Sequence, residues 1–208
     1  MLLSVSRLTS SPDLLRFQSA LALQCFTNEY VYEHRDSETK ALKVLGASIK
    51  KMLHNGEQPS PQSILCLASY KALYNYEWCD LLAPTNDIKE VFIRQVTEPK
   101  QESILKPGIS ALEEINDKVS SKVKEQYEES PYPRWVNLGL PLKPNSISEL
   151  VDKVKLRLFD RKVIEIKAPN ILIAACGTGQ HAISTSARFK NAKVLAIDLS
   201  LSCLAYAK

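Results

Sequence analysis

Glycine is scarce in this chain, six in 208 residues, and residues 12–95 carry only Gly46 and Gly56. That stretch therefore lacks the glycine punctuation of a turn-rich fold, which leaves a helical reading. No apolar run comes near the roughly 18–20 residues that a membrane-spanning helix needs, so a spanning segment is not expected. The opening MLLSVSRLTSSPDLLRF has neither the basic start nor the unbroken apolar core of a secretory signal. No CxxC pair occurs, and the five cysteines (Cys25, Cys66, Cys79, Cys176, Cys203) are odd in number. Reduced thiols in a cytoplasmic protein are the simplest expectation. Of three histidines, His34 and His54 have no partners at ligand spacing, so no metal site is expected. A net charge of only +4 falls short of the strongly basic footprint of a nucleic-acid module. Fixed-period repeats are absent as well.

What is present is the composition of a globular chain, 45% hydrophobic and 24% charged, with room for one or two domains. Residues 1–106 read as a helical N-terminal region. Leu14, Phe17, Leu21 and Cys25 fall at helical spacing, and the stretch is expected to continue through FTNEYVY. HNGEQPSP (54–61) reads as a loop, with Asn-Gly and two prolines as breakers. SILCLASYKALYNYEWCDLL (63–82) returns to a helical pattern whose aromatics are expected in a core. LASYKALYNY within it is faintly similar to a tetratricopeptide helix.

Residues 107–168 read as a helical connector. Ser110 and Glu113 have the spacing of a capping box, and Leu112, Ile115, Val119 and Val123 would form one apolar face behind it. Ser146 and Glu149 form a second such box, followed by Ile147, Leu150, Val151, Val154 and Leu158. Between them lies EQYEESPYPRW (125–135), whose prolines oppose helix and are expected to hold Tyr132, Arg134 and Trp135 in an extended turn.

Residues 169–208 change period. ILIAAC and KVLAID are apolar runs of strand length, as expected of strands buried on both faces. Gly177 and Gly179 bracket the turn after the first, and a helix from about Gln180 to Phe189 would bury Ala182, Ile183 and Ala187. Ser200 can cap a further helix carrying Leu201, Leu204 and Ala205. Strand, helix, strand, helix is the opening of an open parallel α/β sheet. The glycine turn and the following helix N-terminus suit an anionic group. Asp198, about 20 residues on at a strand tip, is placed to accept from ribose hydroxyls. An acid there is expected to pack little and to add little stability.

Gly177-x-Gly179-x-x-Ala182 formally matches the dinucleotide fingerprint with alanine last. Read as Cys176-Gly177-Thr178-Gly179, with Asp198-Leu-Ser200 and EQYEESPYPRW, the chain resembles class I S-adenosylmethionine-dependent methyltransferases. The subgroup it resembles is bacterial and carries a helical, tetratricopeptide-associated N-terminal region. Ile173 and Ala175 stand where that family often has an acid and a glycine; Ala175 fits if its φ is negative.

The resemblance implies an α/β fold in which the helical N-terminal region precedes the first two strands of a Rossmann-like methyltransferase sheet. It implies S-adenosylmethionine as cofactor, held by Ala175, Cys176, Gly177, Thr178, Gly179, His181, Asp198, Leu199 and Ser200. Tyr127, Tyr132, Arg134 and Trp135 would cover the open side. A packed thiol is expected at Cys176 rather than a nucleophile. Catalytic residues and the methyl acceptor are expected beyond Lys208, because two strands are fewer than such a sheet needs. On that reading the sequence is the N-terminal part of a longer protein, active or not by itself. The other readings are an NAD(P)-binding oxidoreductase fragment and a helical protein-interaction module with a vestigial nucleotide turn. No membrane partner is expected.

Overall fold

The computed structural model describes residues 11–112 and 116–208. The chain divides into two compact units, the first ending at Glu102 and the second covering Ser103–Lys208.

The first unit is helical. Helix α1 (Pro12–Thr27) starts where the Ser11 hydroxyl accepts the Leu14 amide, with proline just inside. Its buried face runs through Gln18, Ala22, Cys25 and Phe26. Of the expected stripe, Cys25 is buried, Leu14 and Leu21 are half-buried and Phe17 is exposed. The helix does not continue through FTNEYVY, because Glu29 and Tyr30 adopt φ of 53° and 54°. Helix α2 (Asp36–His54) follows, and the expected loop separates it from α3 (Pro61–Ala68), which Ser60 caps.

The expected helix over 63–82 stops at Ala68 and gives way to short 3-10 turns at Leu73–Asn75 and Cys79–Leu81. The cause is tertiary. The carbonyls that close α3 are taken by side chains from elsewhere: Tyr30 and Gln95 donate to Ala68, and Tyr32 donates to Ser69. The Leu73 amide, which would continue the helix, donates instead to Gln95 Oε1 at 3.1 Å. Gln95 itself lies in a π-helical stretch, Ile93–Thr97, between α4 (Lys89–Phe92) and α5 (Glu98–Leu105). Ile49, Leu53, Ile64, Leu65, Leu67, Leu73, Trp78 and Val91 are among the residues that fill the core.

In the second unit, α6 (Lys118–Glu129) begins at Asp117, whose carboxylate accepts the Val119 and Ser120 amides. Ser110–Leu112 is not helical, and Glu113 and Ile115 lie outside the described residues. The expected apolar face is turned out, with Val119 and Val123 exposed. Ser121, Lys124 and Glu128 form the partly covered stripe instead. The helix docks through hydrogen bonds rather than aliphatic packing. The Ser202 amide donates to Glu128 Oε1 at 3.1 Å, and the Ser202 hydroxyl lies 2.9 Å from Oε2.

Helix α7 (Ile147–Val154) carries the expected capping box, the Ser146 amide meeting Glu149 Oε2 at 2.7 Å. It ends at Lys155 (φ 52°), before Leu158. Strand β1 (Asn170–Ala174), helix α8 (Gln180–Arg188), strand β2 (Lys193–Ile197) and helix α9 (Leu201–Ala207) complete the unit. The strands pair in parallel, with Leu172 opposite Leu195 and Ala174 opposite Ile197. This is an α/β arrangement with a two-stranded parallel sheet. Ile173, Cys176 and Ala182 are buried together against Ile171, Val194, Ala196 and Leu204. The expectation of strands covered on both faces does not hold: Leu172 and Leu195 are 62% and 61% exposed. Alternate residues of a strand point to opposite faces, and only the face carrying Ile171, Ile173, Val194 and Ala196 is packed. Among the described residues, no helix is long and apolar enough to cross a membrane.

Candidate functional site

β1 and β2 run parallel, so their C-terminal ends, and the turns that follow them, lie side by side. The turn after β1 is held to β2 by the Cys176 amide, which donates to the Ile197 carbonyl at 3.1 Å. One residue beyond that carbonyl, Asp198 closes the gap. Its Oδ2 accepts the Gly177 amide at 2.7 Å, and its Oδ1 accepts the Ser200 amide at 3.0 Å. The predicted acid and the predicted glycine turn therefore meet. Against the expectation that this acid packs little, its carboxylate joins the tips of both strands through two backbone amides.

The two glycines differ in what surrounds them. A Cβ on Gly179 (φ 81°) would sit 2.4 Å from the Ala207 Cβ, so its bare side is filled by α9. A Cβ on Gly177 (φ 53°) would meet nothing closer than the Tyr132 carbonyl oxygen at 3.8 Å. Ala175 also adopts positive φ, 54°, so the condition under which alanine replaces the family's glycine without strain is not met. The backbone there takes the left-handed turn that glycine normally serves, with a methyl group attached.

Thr178 is buried and faces the protein. Its hydroxyl donates to the Pro133 carbonyl at 2.6 Å, and its own carbonyl accepts the Trp135 indole N–H at 2.8 Å. EQYEESPYPRW thus packs directly on the glycine turn. Its prolines act later than expected: residues 125–129, with Tyr127, belong to α6, and only the part from Ser130 on leaves helix. The Trp135 ring meets the edge of Tyr206 with centroids 5.3 Å apart, and the Trp135 amide donates to the Tyr206 hydroxyl at 3.0 Å. The Arg134 guanidinium lies over the same tyrosine ring. Tyr206, which sequence reasoning missed, is the only aromatic residue in α9, and that isolation was the available signal.

Ser200 is fully buried and caps α9 as expected, accepting the Cys203 amide at 3.1 Å while donating to the Tyr127 carbonyl at 3.0 Å. Leu199 and His181 are exposed, the latter in the first turn of α8. Among the described residues no side chain caps that helix, whose N-cap is Gly179, so its leading amides have no side-chain acceptor. Tyr132 is also exposed.

Burial pushes the Cys176 thiol up, and the Asp198 carboxylate adds to the rise. That is the opposite of what activates a nucleophile. Burial raises the Glu128 carboxyl too, but the Ser202 hydroxyl and amide, with Ser200 and Lys106, outweigh it and hold it below the usual range. Among the described residues, no three or more His, Cys, Asp or Glu side chains are gathered as a metal site. Comparison of the chain with family models, curated proteins and solved structures finds no match.

Proposed function

We propose that the glycine turn and Asp198 form the nucleoside end of an S-adenosylmethionine site, and that the chain belongs to a methyl-transferring enzyme of Rossmann-like design. The observation that carries this is the position of the Asp198 carboxylate, fixed by the Gly177 and Ser200 amides at the tips of two parallel strands. The group fits. An ionised carboxylate offers about four acceptor positions, and two backbone amides leave about two for a ribose diol.

Gly177, with no close neighbour at its bare side, would let the ligand approach backbone. The leading amides of α8 beside His181 would face the carboxylate of the methionine part. Ala175, Cys176, Thr178, Gly179 and Ser200 would shape the pocket through backbone, since their side chains are small or already bonded. Leu199 would border the adenine. Tyr132 would lie toward the open side, where Tyr127, Arg134 and Trp135 fix its segment. Bound there, the cofactor would supply a methyl group on a sulfonium, a good leaving group that needs mainly alignment and exclusion of water.

Gly179 supports this reading over a dinucleotide. In a dinucleotide fingerprint the second glycine admits the pyrophosphate. Here Ala207 occupies the space beside it. Calorimetry on the chain should show S-adenosylhomocysteine binding and no NAD binding. Asp198→Asn keeps one acceptor for a backbone amide and removes the charge; it should weaken that binding by about 1.5–3 kcal/mol. Heat from NAD alone, or unchanged affinity in the variant, would overturn the assignment.

A further inference from the structure

Residues 153–167, KVKLRLFDRKVIEIK, hold six lysines or arginines against two acids. That is a net +4, the same as the whole chain, so the remaining residues balance. Lys153, Lys155, Arg157, Arg161, Lys162 and Lys167 are all exposed. None of them forms an ion pair among the described residues. Apolar side chains alternate with them and are exposed too. Phe159 is fully exposed, Val154 and Leu156 are more than half exposed, and Val163 and Ile166 more than a third.

The backbone makes this an exposed bend. α7 ends at Lys155, which turns with φ 52°, and a 3-10 turn at Arg161–Glu165 packs back against α7. Residues 156–160 form the bend between two elements in contact, and Leu156 and Phe159 are exposed there among the basic Lys155, Arg157, Arg161 and Lys162.

We propose that this bend binds an anionic lipid bilayer surface, with Phe159 and Leu156 entering the headgroup boundary and the basic side chains meeting lipid phosphates and carboxylates. Charge and apolarity together select the occupant. Positive charge alone would suit nucleic acid, but exposed aliphatic side chains gain nothing from phosphate backbones, whereas they do gain from an acyl boundary. This departs from the expectation of no membrane partner, but the want of a helix that spans a membrane does not bear on lying against one.

The test is co-sedimentation of the full chain with vesicles of phosphatidylcholine, alone or with about one-third phosphatidylserine. Binding is expected only to the anionic vesicles, and should be lost near 0.5 M salt, where the screening length falls to roughly 4 Å. Arg157→Gln with Lys162→Gln should weaken it by roughly fivefold for each charge. Phe159→Ser should weaken it by about tenfold or more. Lys43→Gln with Lys51→Gln, in the other unit, should match the wild type. All these positions are exposed, and circular dichroism would verify folding. In Phe159→Trp, the added emission should shift to the blue on anionic vesicles. Absence of vesicle binding, equal binding to neutral vesicles, or variants that impair binding to single-stranded RNA but not to vesicles would each overturn the proposal.

Discussion

At the residue scale, Ala175 is one of the positions, with Glu29, Tyr30, Lys155 and Asn191, where side chain and backbone disagree. Its φ of 54° lies in the left-handed region, where a Cβ costs about 1–2 kcal/mol relative to glycine. Part of that is offset in the unfolded chain, because glycine has more freedom to lose. Ala175→Gly is therefore expected to stabilise the second unit by about 0.5–1 kcal/mol, read from its urea midpoint. A destabilised variant would show that the methyl group makes contacts that outweigh the strain. Asp198 is the opposite case, a side chain that serves the backbone. Asp198→Ala leaves the Gly177 and Ser200 amides without their acceptor, and an expected loss of about 1.5–3 kcal/mol should appear even without ligand. A ligand-free stability equal to wild type would mean that water replaces the carboxylate.

At the scale of elements, helices end or dock where a side chain from another element takes over their backbone bonding. Gln95 is completely buried and serves three segments of the first unit: its amide nitrogen donates to Ala22 and Ala68, and its oxygen accepts from Leu73. Gln95→Leu retains much of the volume but strands the Leu73 amide, so a loss of about 2–4 kcal/mol is expected in chemical denaturation. A loss below 1 kcal/mol would show that the segment relaxes to a continued helix.

The capping box of α7 makes a pH-dependent contribution. The Ser146 amide, followed by Lys190 and the Ser146 hydroxyl, holds the Glu149 carboxyl down from 4.5 to about 2. A depressed carboxyl stabilises the fold fully above its unfolded value and loses that contribution as pH falls from about 4.5 through about 2. Glu149→Gln, which still caps, should flatten the decline of stability across that window. An unchanged decline would place the acid sensitivity elsewhere, with Glu128 the next group to replace.

At the scale of the whole molecule, the two units differ in how much apolar material each encloses. Among the described residues, the first buries fourteen in its core cluster and the second three. Resistance to opening follows buried apolar contact, so the units should unfold at different points. Urea titration followed by hydrogen exchange is expected to show amides of 170–208 exchanging before those of α3 and the core of α1. Simultaneous protection loss in both units would contradict this.

Much of the local structure was legible in the residues alone. Prolines, glycines and hydroxyl caps act over three or four positions, so the loop at 54–61, the Ser146–Glu149 box, the span of α8 and the Ser200 cap could all be read directly. The two strands and the nearness of Gly177 to Asp198 were legible too, because an apolar run, a glycine turn and an acid one strand later leave few topologies. Faces and endings were not. Whether 63–82 continues as helix depends on Tyr30, Tyr32 and Gln95, which are distant in sequence. Whether α6 turns its valines inward depends on Ser202. The outward face of the sheet, the left-handed Ala175 and the Ala207 methyl beside Gly179 follow from what packs where. Local periodicity carries which residues share a face, but only tertiary contact decides which face is buried.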